Sequence, residues 1–417
     1  MTCDPERELL HDAYCLPALT RRSFTHAELW ELFGTVVDEG EVLARDEIGR
    51  SAEGRPLYAV RFGSGAVRVL LFSQMHGDEP SHTMGLVDLL TYFAREPDDE
   101  RVRRIGEALT VVGIPMLNPD GAERFVRTNA QGIDMNRDAR AWVSPEMRAF
   151  RGLHDEFRPD FVLNLHDQDS RKRIGKSQRL TALALLATPG GPELEDDEQR
   201  IRGKRLCGAI RQAAEALVDG HVARFPDEFH PGGSGEFTQR AGAVSVLVEC
   251  GFWPDDPEKQ FLRKLSFVAL LGALEALADG SWERVPVEVY ESLEENDTDV
   301  FDLLIHGGTV VVPGLEPFRA DVGCNFAAPL DLRDGTVAAV GDLADYAARE
   351  EVDADGLFVH PERDALDRHD DGRLTLRDGL PASFTVRRGE DAESEEVIVI
   401  RHGVLRGADK PEPADAR

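Results

Sequence analysis

The stretch of sequence that decides the fold is Val67–Pro80, which reads VRVLLFSQMHGDEP. Its first part, Val67 to Phe72, is mainly apolar and predicts a buried strand. His76 and Glu79 follow the end of that strand, close enough in sequence for both side chains to reach one metal ion. Neutral imidazole and carboxylate are ligands that Zn²⁺ accepts, and a catalytic zinc site needs only three protein ligands and a water. Because a His-x-x-Glu pair also occurs by chance, the rest of the chain decides its meaning.

Polar residues capable of chemistry also follow three other predicted strands. The strand at 109–114 leads into the turn Asn118-Pro119-Asp120-Gly121, the strand at 160–165 ends at His166, and the strand at 244–248 ends at Glu249. In open α/β sheets, ligands bind at the carboxyl ends of the strands. We therefore expect these residues to lie at one edge of a sheet, together with the His-x-x-Glu pair.

In this order, the pieces resemble the zinc carboxypeptidases of the carboxypeptidase A type. The matching residues are His76, Glu79, the turn at 118–121, Arg127, Asn136, Arg137, His166 and Glu249. Upstream, the stretch Ile48–Leu57 is similar to the family's early hairpin, and the resemblance covers roughly residues 25–278. It implies an α/β fold with a mixed eight-stranded sheet flanked by helices.

The resemblance implies one Zn²⁺ per chain, held by His76, Glu79 and His166. Asp134 would accept a hydrogen bond from the His76 ring and so orient it, as carboxylates behind metal-binding histidines commonly do. The structural alternatives are a hydrogen-bonded His at a strand end and, for Asp134, a simple turn residue. A divalent ion other than zinc also stays open, because His and Glu sites accept several ions.

For catalysis, the resemblance implies that Glu249 is the general base, which takes a proton from the zinc-activated water and delivers it to the leaving amine. Arg127 would stabilise the oxyanion of the tetrahedral intermediate. Arg124 could exchange roles with it, but Arg127 is favoured because it stands in the family's Arg-x-Asn context. Asn136 and Arg137 would bind the free carboxylate of the substrate, since a guanidinium can form two parallel hydrogen bonds to a carboxylate.

Structural alternatives stay open for these residues as well. Glu249 could be an ion-pair partner of Arg240, which is near it in sequence. Asn136 and Arg137 could belong to a solvated loop. A serine hydrolase is not indicated, because no Ser stands in a nucleophile-elbow context.

The chain departs from the family's pattern in two places that bear on the substrate. Asp78 stands where digestive members have an Arg directly before the zinc-binding Glu. The family's mobile Tyr is missing, and residues 227–236 occupy its region. His230 could supply a hydrogen bond in its place. Ser234 and Glu236 fall near positions that line the side-chain pocket in relatives, and Glu236 pointing into that pocket would favour a basic substrate end.

The chain is strongly acidic. Among 417 residues it has 48 Lys and Arg against 78 Asp and Glu, a formal net charge of -30. Such a charge repels nucleic acid and anionic membranes, so neither is an expected partner. Five cysteines without paired spacing, and an acidic start with no apolar signal segment, favour reduced thiols and a cytoplasmic location.

The expected organisation is a leader at 1–24, a catalytic domain at 25–280, a small β-domain at 281–407 and a disordered tail at 408–417. The catalytic domain should close with a helix that starts at Asp256-Pro257-Glu258 and runs to about Ala278. The β-domain alternates short β-prone runs with turns and resembles the small β-sandwich of amidohydrolases. No amidohydrolase site follows from it, because no barrel accompanies it.

The sequence therefore predicts a zinc metallocarboxypeptidase that removes the C-terminal amino acid of a peptide. The runner-up is a zinc amidase acting on cell-wall peptides or N-acyl amino acids. In both cases the partner is a peptide or acyl-amino-acid substrate with a free carboxylate. A non-catalytic binding domain that kept the site geometry is the third candidate. The preferred terminal side chain and the oligomeric state do not follow from the sequence.

Overall fold

The computed structural model describes residues 6–407; the predicted tail, 408–417, and the start of the predicted leader, 1–5, lie outside this range. The described chain divides into two compact units. The first comprises the residues up to Asp169 together with Thr181–Asn296, and the second comprises Ser170–Leu180 together with the residues from Asp297 onward. The domain limits drawn from the sequence, 25–280 and 281–407, stay a prediction.

The first unit is built around an eight-stranded mixed sheet, which confirms the predicted fold class. Its strands are β1 (Leu43–Arg50), β2 (Pro56–Phe62), β3 (Val67–Ser73), β4 (Leu109–Ile114), β5 (Phe161–Asp167), β6 (Leu183–Ala187), β7 (Val222–Arg224) and β8 (Val244–Cys250). They are ordered β1-β2-β4-β3-β5-β8-β6-β7. In the centre, β4, β3, β5 and β8 run parallel, so their carboxyl ends share one edge. Antiparallel pairs join β1 to β2, β2 to β4, and β6 to β8.

Ten α-helices belong to the described part of this unit: α1 (Glu6–Tyr14), α2 (His26–Glu39), α3 (Ser81–Arg95), α4 (Glu100–Ala108), α5 (Pro119–Arg124), α6 (Pro145–Phe157), α7 (Glu198–Ala214), α8 (Ser234–Arg240), α9 (Gln260–Asp279) and α10 (Glu288–Glu291). Short 3₁₀ helices lie at Met135–Arg137 and Ser281–Arg284. Helix α1 falls within the predicted leader, and Leu16 and Leu19 after it are buried in the core of this unit. None of the helices in residues 6–407 combines the length and the apolar composition that a membrane crossing requires.

The sheet lies between two apolar cores. Val69 and Leu71 of β3 pack into a core with α3 and α9, whereas Leu70 and Phe72 of the same strand pack into a second core with α6. Alternate residues of a strand point to opposite faces, so a strand covered on both faces reads as a continuous apolar run. The burial of both faces explains why the strand before the His-x-x-Glu pair could be predicted from the sequence.

Helix α9 begins later than the sequence predicts. The predicted start is Asp256-Pro257-Glu258, but the helix begins at Gln260. Lys259 adopts a left-handed conformation with φ 54°, which a helix cannot contain. The Asp256 carboxylate accepts hydrogen bonds from the backbone N–H groups of Gln260, at 2.6 Å, and Leu262, at 3.0 Å. Asp256 therefore acts from outside the helix on its unpaired N–H groups instead of belonging to its first turn.

The second unit is all β, apart from 3₁₀ turns. Its strands are β9 (Val300–His306), β10 (Thr309–Val310), β11 (Phe318–Arg319), β12 (Asp321–Ala328), β13 (Arg333–Gly341), β14 (Ala347–Asp353), β15 (Phe358–Pro361), β16 (Leu366–Arg368), β17 (Leu374–Leu376), β18 (Phe384–Arg387), β19 (Glu396–Arg401) and β20 (Val404–Gly407). A four-stranded sheet is ordered β13-β12-β9-β14, and a six-stranded sheet is ordered β11-β10-β15-β18-β19-β20. Leu303 and Val322 of the first sheet share one core with Val359 and Phe384 of the second. Two sheets packed on a common core form a sandwich.

The sequence analysis did not predict several strands of this unit, among them β12 and β14. Strand β14 has the sequence AAREEVD, with charged residues on its exposed face, and β12 contains Gly and Asn, which are rare in strands. Both are held in place by pairing with β9, a contact between distant parts of the chain. The sequence analysis assigned residues 281–296 to the β-domain. In the structure they form helical turns, and Val285 and Tyr290 are buried in the core of the first unit.

Candidate metal centre and active site

The three predicted metal ligands converge at the carboxyl edge of the sheet. His76 and Glu79 lie between β3 and α3, and His166 lies near the end of β5. The Nδ1 atoms of His76 and His166 lie 2.7 and 2.8 Å from the two carboxylate oxygens of Glu79. The two Nδ1 atoms are 3.2 Å apart. All three side chains are buried, so they face one another across a small space from which bulk water is excluded.

This donor set fits a divalent cation. One donor atom from each residue lies within 4.8 Å of the others. Burial opposes a charge on His76, yet the Glu79 carboxylate raises the pKa of that ring to about 9. Burial likewise opposes a charge on Glu79, but the two imidazoles lower the pKa of its carboxyl. The centre thus attracts positive charge strongly, and two imidazole nitrogens with one carboxylate are ligand types that Zn²⁺ takes.

The predicted turn at 118–121 holds the metal-binding loop in place. Asn118 donates from Nδ2 to the carbonyl oxygens of Met75, at 3.1 Å, and Arg127, at 3.3 Å. Its Oδ1 accepts from the Gly121 N–H at 2.9 Å, which caps α5. One amide side chain therefore ties the residue before His76 to the segment that carries Arg127.

The metal-binding loop and the first turn of α5 touch backbone to backbone at Gly77. A Cβ atom at this position would lie 2.0 Å from the carbonyl carbon of Gly121, a distance that non-bonded atoms do not adopt. Glycine is required here because only a residue without a side chain lets the two backbones approach so closely.

Asp134 and Arg127 form one network with the ligand cluster. Asp134 accepts a hydrogen bond at 3.1 Å from His76 Nε2, the ring nitrogen that faces away from the other ligands. Arg127 donates to Glu79 Oε1 and to Asp134 Oδ2, each at 3.1 Å. Arg124 lies elsewhere, paired with the Glu53 carboxylate. The structure thus brings Arg127, and not Arg124, to the metal centre.

Glu249 lies at the end of β8, directly opposite His166 on the neighbouring strand β5. It is buried, and burial, reinforced by the carboxylates of Glu79 and Asp167, raises its pKa well above the usual range for a glutamate. Arg240, the alternative ion-pair partner, donates instead to the carbonyl of Pro231 at 3.2 Å. A buried carboxylate that gains protons readily, next to a metal centre, has the properties of a general base.

The predicted carboxylate-binding residues occupy the short helix after Asp134. Asn136 accepts hydrogen bonds through Oδ1 from both the N–H and the hydroxyl of Ser234, at 2.9 Å each. Arg137 is exposed and donates to the carbonyl of Asn136 at 2.8 Å. Asn136 therefore fixes the start of α8 to this loop, while the Arg137 guanidinium keeps donors for another partner.

Residues 227–236, which occupy the region of the family's missing Tyr, form a turn that runs into α8. His230 Nε2 lies 3.3 Å from a Glu228 carboxylate oxygen, and its backbone N–H donates to Glu236 Oε1 at 2.9 Å. Glu236 thus folds back onto its own turn, which supports a structural role for this carboxylate. Asp78, in contrast, has a buried oxygen, Oδ1, without a hydrogen-bond partner among residues 6–407.

Sequence reasoning missed two charged residues beside the ligands. Asp167 follows His166, and its backbone N–H donates to Glu79 Oε2 at 3.2 Å. Its carboxylate pairs with Lys259 Nζ at 2.7 Å. The position of Asp167 at a strand end was a usable signal, but nothing local to Lys259 in the sequence indicates its partner.

A family model described as zinc carboxypeptidase matches residues 36–166, the segment with all three candidate metal ligands. A probable carboxypeptidase 2 from Arthroderma benhamiae is 25% identical over 151 residues, which cover 36% of this chain and 26% of that protein. A D-aminoacylase from Alcaligenes xylosoxydans xylosoxydans is 38% identical over 86 residues, 20% of this chain and 16% of that protein. The second match is consistent with the predicted amidohydrolase-like β-domain. The chain thus spans about a quarter or less of the length of these curated relatives.

Among solved structures, a metallo-carboxypeptidase from Burkholderia cenocepacia is similar, with a TM-score of 0.50 at 21% sequence identity. The match covers 62% of this chain and 70% of that chain. At this identity the likeness concerns the fold, and it agrees with the eight-stranded sheet of the first unit. Residues 36–166 of this chain therefore match the zinc carboxypeptidase family, and its larger unit has a metallo-carboxypeptidase fold.

Proposed function

We propose that this protein is a zinc-dependent metallocarboxypeptidase, which hydrolyses the C-terminal peptide bond of peptides. The observation that carries the proposal is the convergence of the donor atoms of His76, Glu79 and His166 beside two groups suited to catalysis. Glu249 pairs in register with His166 on the next strand, and Arg127 donates to Glu79. The match of the ligand-bearing segment to the zinc carboxypeptidase family model supports the same activity.

Each residue has a task that its surroundings favour. A Zn²⁺ held by the three ligands would supply a water acidic enough to lose its proton near neutral pH. Glu249, which is not one of the ligands, would accept that proton and pass it to the leaving amine. Arg127 would move its guanidinium from Glu79 towards the oxygen that becomes negative during the attack.

The preference for a chain end would come from Arg137. Its guanidinium is exposed and its nearest acceptor is a backbone carbonyl, so it is available to pair with a carboxylate. A terminal carboxylate can accept two parallel hydrogen bonds from such a group, which an amidated chain end cannot do. Asn136, anchored to Ser234, would keep Arg137 at a fixed distance from the metal.

The test is hydrolysis of a mixed peptide library with free and amidated C-termini, using the full chain and Glu249→Gln, with zinc content determined on both. We expect the wild type to bind one zinc and to release only free C-terminal residues, and the mutant to keep its zinc without cleaving. A zinc-loaded wild type that cleaves amidated peptides equally well would contradict the proposal. Zinc binding without turnover of any peptide would favour the non-catalytic binding domain.

A zinc amidase acting on N-acyl amino acids or cell-wall peptides is the second candidate. An acyl amino acid carries the same free carboxylate as a peptide end and could pair with the exposed Arg137 in the same way. Low activity on ordinary peptides with high activity on acyl or γ-linked substrates would select it. We also propose a cytoplasmic location, supported by the free thiols of the described cysteines and by the high negative charge.

A further inference from the structure

We propose that the buried ion pair between Lys259 and Asp167 is a positioning device of the metal centre, which holds Glu79 and His166 at the separation that zinc binding needs. The inference rests on the proposed zinc site. Neither residue belongs to the ligand set, and both act through the residues next to them. Residues that support metal ligands from behind commonly tune affinity in this way.

Asp167 connects two of the ligands through its backbone. It directly follows His166 in β5, so any movement of its peptide group moves the His166 side chain as well. Its N–H donates to Glu79 Oε2 at 3.2 Å, the same carboxylate oxygen that lies 2.8 Å from His166 Nδ1. The hydrogen bond thus fixes the Glu79 carboxylate relative to the strand that carries His166.

The Asp167 side chain makes a second connection. Its Oδ2 accepts hydrogen bonds from the Ser81 hydroxyl at 2.8 Å and from the Ser81 N–H at 3.3 Å. Ser81 is the first residue of α3 and stands just after Glu79 and Pro80 in the chain. Asp167 therefore holds the segment of Glu79 from both its backbone and its carboxylate.

Lys259 supplies the positive charge that compensates for the burial of the Asp167 carboxylate. Its ammonium lies 2.7 Å from Asp167 Oδ2, and the residue is only 5% exposed. The left-handed backbone at Lys259, with φ 54°, is uncommon for a residue with a side chain. Burial opposes the charge on Lys259, but the Asp167 carboxylate keeps the pKa of the ammonium above its ordinary value. The contact with Asp167 therefore favours the charged form of Lys259.

The surroundings of Asp167 also include metal-ligand types, namely His82 and Cys250. A second metal ion there would have to share Asp167 with the ammonium of Lys259. The His82 ring is engaged through Nδ1 with the Ser266 hydroxyl at 2.7 Å. Since a cation of the chain already pairs with the carboxylate, we assign this cluster to the support of the first metal site.

A second buried ion pair of this chain serves as a matched control, because its loss should affect stability without affecting the metal site. Arg263 of α9 and Asp88 of α3 form another buried ion pair in the same unit. Asp88 also accepts a hydrogen bond from the backbone N–H of Leu16. The contacts of Asp88 stabilise the packing of the segment around Leu16, and none of these contacts involves a proposed metal ligand. Asp88→Asn therefore removes a comparable buried charge without touching the metal centre.

The experiment compares four full-length proteins: wild type, Asp167→Asn, the charge-free pair Lys259→Met with Asp167→Asn, and Asp88→Asn. Zinc dissociation constants are measured by competition with a chelator, and visible spectra are recorded after cobalt substitution. We expect both Asp167 variants to bind zinc about 10- to 100-fold more weakly, as loss of a group behind a ligand typically does. Their cobalt spectra should shift, because the ligands then surround the ion differently. Asp88→Asn should stay within about twofold of the wild type, as expected of a distant, independent site.

The double variant decides the case if Asp167→Asn, which leaves Lys259 unpaired, does not fold. Replacing both charged groups by neutral ones of similar size is often nearly neutral for stability. A double variant with the zinc affinity and cobalt spectrum of the wild type would overturn the inference. An equal loss of affinity in Asp88→Asn would overturn it too. A wild type that binds no zinc would instead refute the proposed function, and this inference with it.

Discussion

His166 and Glu249 lie directly opposite each other on the neighbouring parallel strands β5 and β8. Residues paired in this way point to the same side of a sheet, so the candidate ligand and the candidate base face the same space. Within residues 6–407, one of the two groups of donors near enough to share one ion comprises His76, Glu79 and His166. Glu249 stands beside this group and is not part of it. A carboxylate in that position can handle protons without occupying the metal.

The clearest prediction concerns the candidate base. Glu249→Gln keeps the size of the side chain but cannot accept a proton. We expect kcat for peptide hydrolysis to fall by about 10²- to 10⁴-fold, the usual contribution of general acid–base catalysis. Zinc content should stay at one per chain, because Glu249 is not a ligand. Steady-state kinetics with metal analysis checks this, and a fully active variant would assign the proton transfer to another group.

Zinc affinity should depend on pH through His76. The Glu79 carboxylate raises the pKa of this ring to about 9 in the metal-free protein, so zinc must displace a proton below that pH. Affinity should therefore tighten by roughly tenfold per pH unit between about pH 7 and 9, since one proton is released on binding. Chelator competition at several pH values measures the slope.

The same pKa shift has a consequence for stability, with the sign fixed by linkage. The pKa of His76 is higher in the folded than in the unfolded chain, so protonation stabilises the metal-free fold. This contribution is complete below the ordinary histidine pKa of about 6.5 and is lost as the pH rises through about 9. Asp134→Asn weakens the contact that favours the protonated ring, so the pH at which zinc affinity stops rising should fall and the stability contribution should shrink. An unchanged levelling pH in that variant would assign the proton elsewhere.

Arg127 and Arg124 form a natural pair for comparison, because only Arg127 reaches the metal centre. Arg127→Met should lower kcat by about 10²- to 10³-fold, as expected for the loss of an oxyanion donor. Arg124→Met removes an exposed ion pair with Glu53 and should change kcat little. Kinetics of both variants, with zinc content as a control, tests the assignment. Equal losses would mean that the two residues share the task.

Arg137→Gln should act on substrate binding more than on chemistry. The loss of a charged hydrogen-bond donor to a carboxylate is expected to cost about 1.5–3 kcal/mol, so KM for free-carboxylate peptides should rise by roughly 10- to 100-fold. The measurement compares each free peptide with its amidated form in wild type and variant. The ratio between the two substrates should approach unity in the variant. A preserved ratio would place carboxylate recognition on another residue.

Gly77→Ala tests the close approach of the metal-binding loop to the first turn of α5. The added methyl would lie 2.0 Å from the Gly121 carbonyl carbon, so one backbone has to move. We expect a loss of about 1–3 kcal/mol in the free energy of unfolding, the usual cost of overpacking, and a weaker zinc site beside it. Denaturant titration and zinc binding measure the two effects. Gly152→Ala serves as a control, because its added Cβ meets no atom within 4 Å and its backbone is not in the left-handed region.

The sequence predicts the centre of the molecule well for a physical reason. Strands β3, β4, β5 and β8 are buried on both faces, so each appears as an apolar run, and their ends are marked by turn residues. Since parallel strands share one edge, residues at those ends can be placed together without knowledge of the distances. The order of the strands and the pairing of His166 with Glu249 required the structure.

What could not be predicted depends on contacts between distant parts of the chain. Lys259 is one of many charged residues in the sequence, and nothing near it in the sequence marks it as special. Only the structure shows that it is buried, has a left-handed backbone and pairs with Asp167. The sequence left open whether Glu236 points into the side-chain pocket, and in the structure its carboxylate instead accepts a hydrogen bond from the backbone N–H of His230. Strand β14 is hidden by its charged face and exists because β9 pairs with it.

The strand order also has a consequence for the time at which activity can appear during synthesis. Strand β8 lies between β5 and β6, although the ribosome makes β6 and β7 well before it. A nascent chain that has emerged only as far as α8 already has both candidate metal-binding histidines, but β6 and β7 then have no neighbour through which to join the sheet. The arrival of β8 inserts the missing strand and delivers Glu249 in the same step. Under the proposed function, the site that cuts peptides would therefore stay incomplete until synthesis of the first unit is nearly finished.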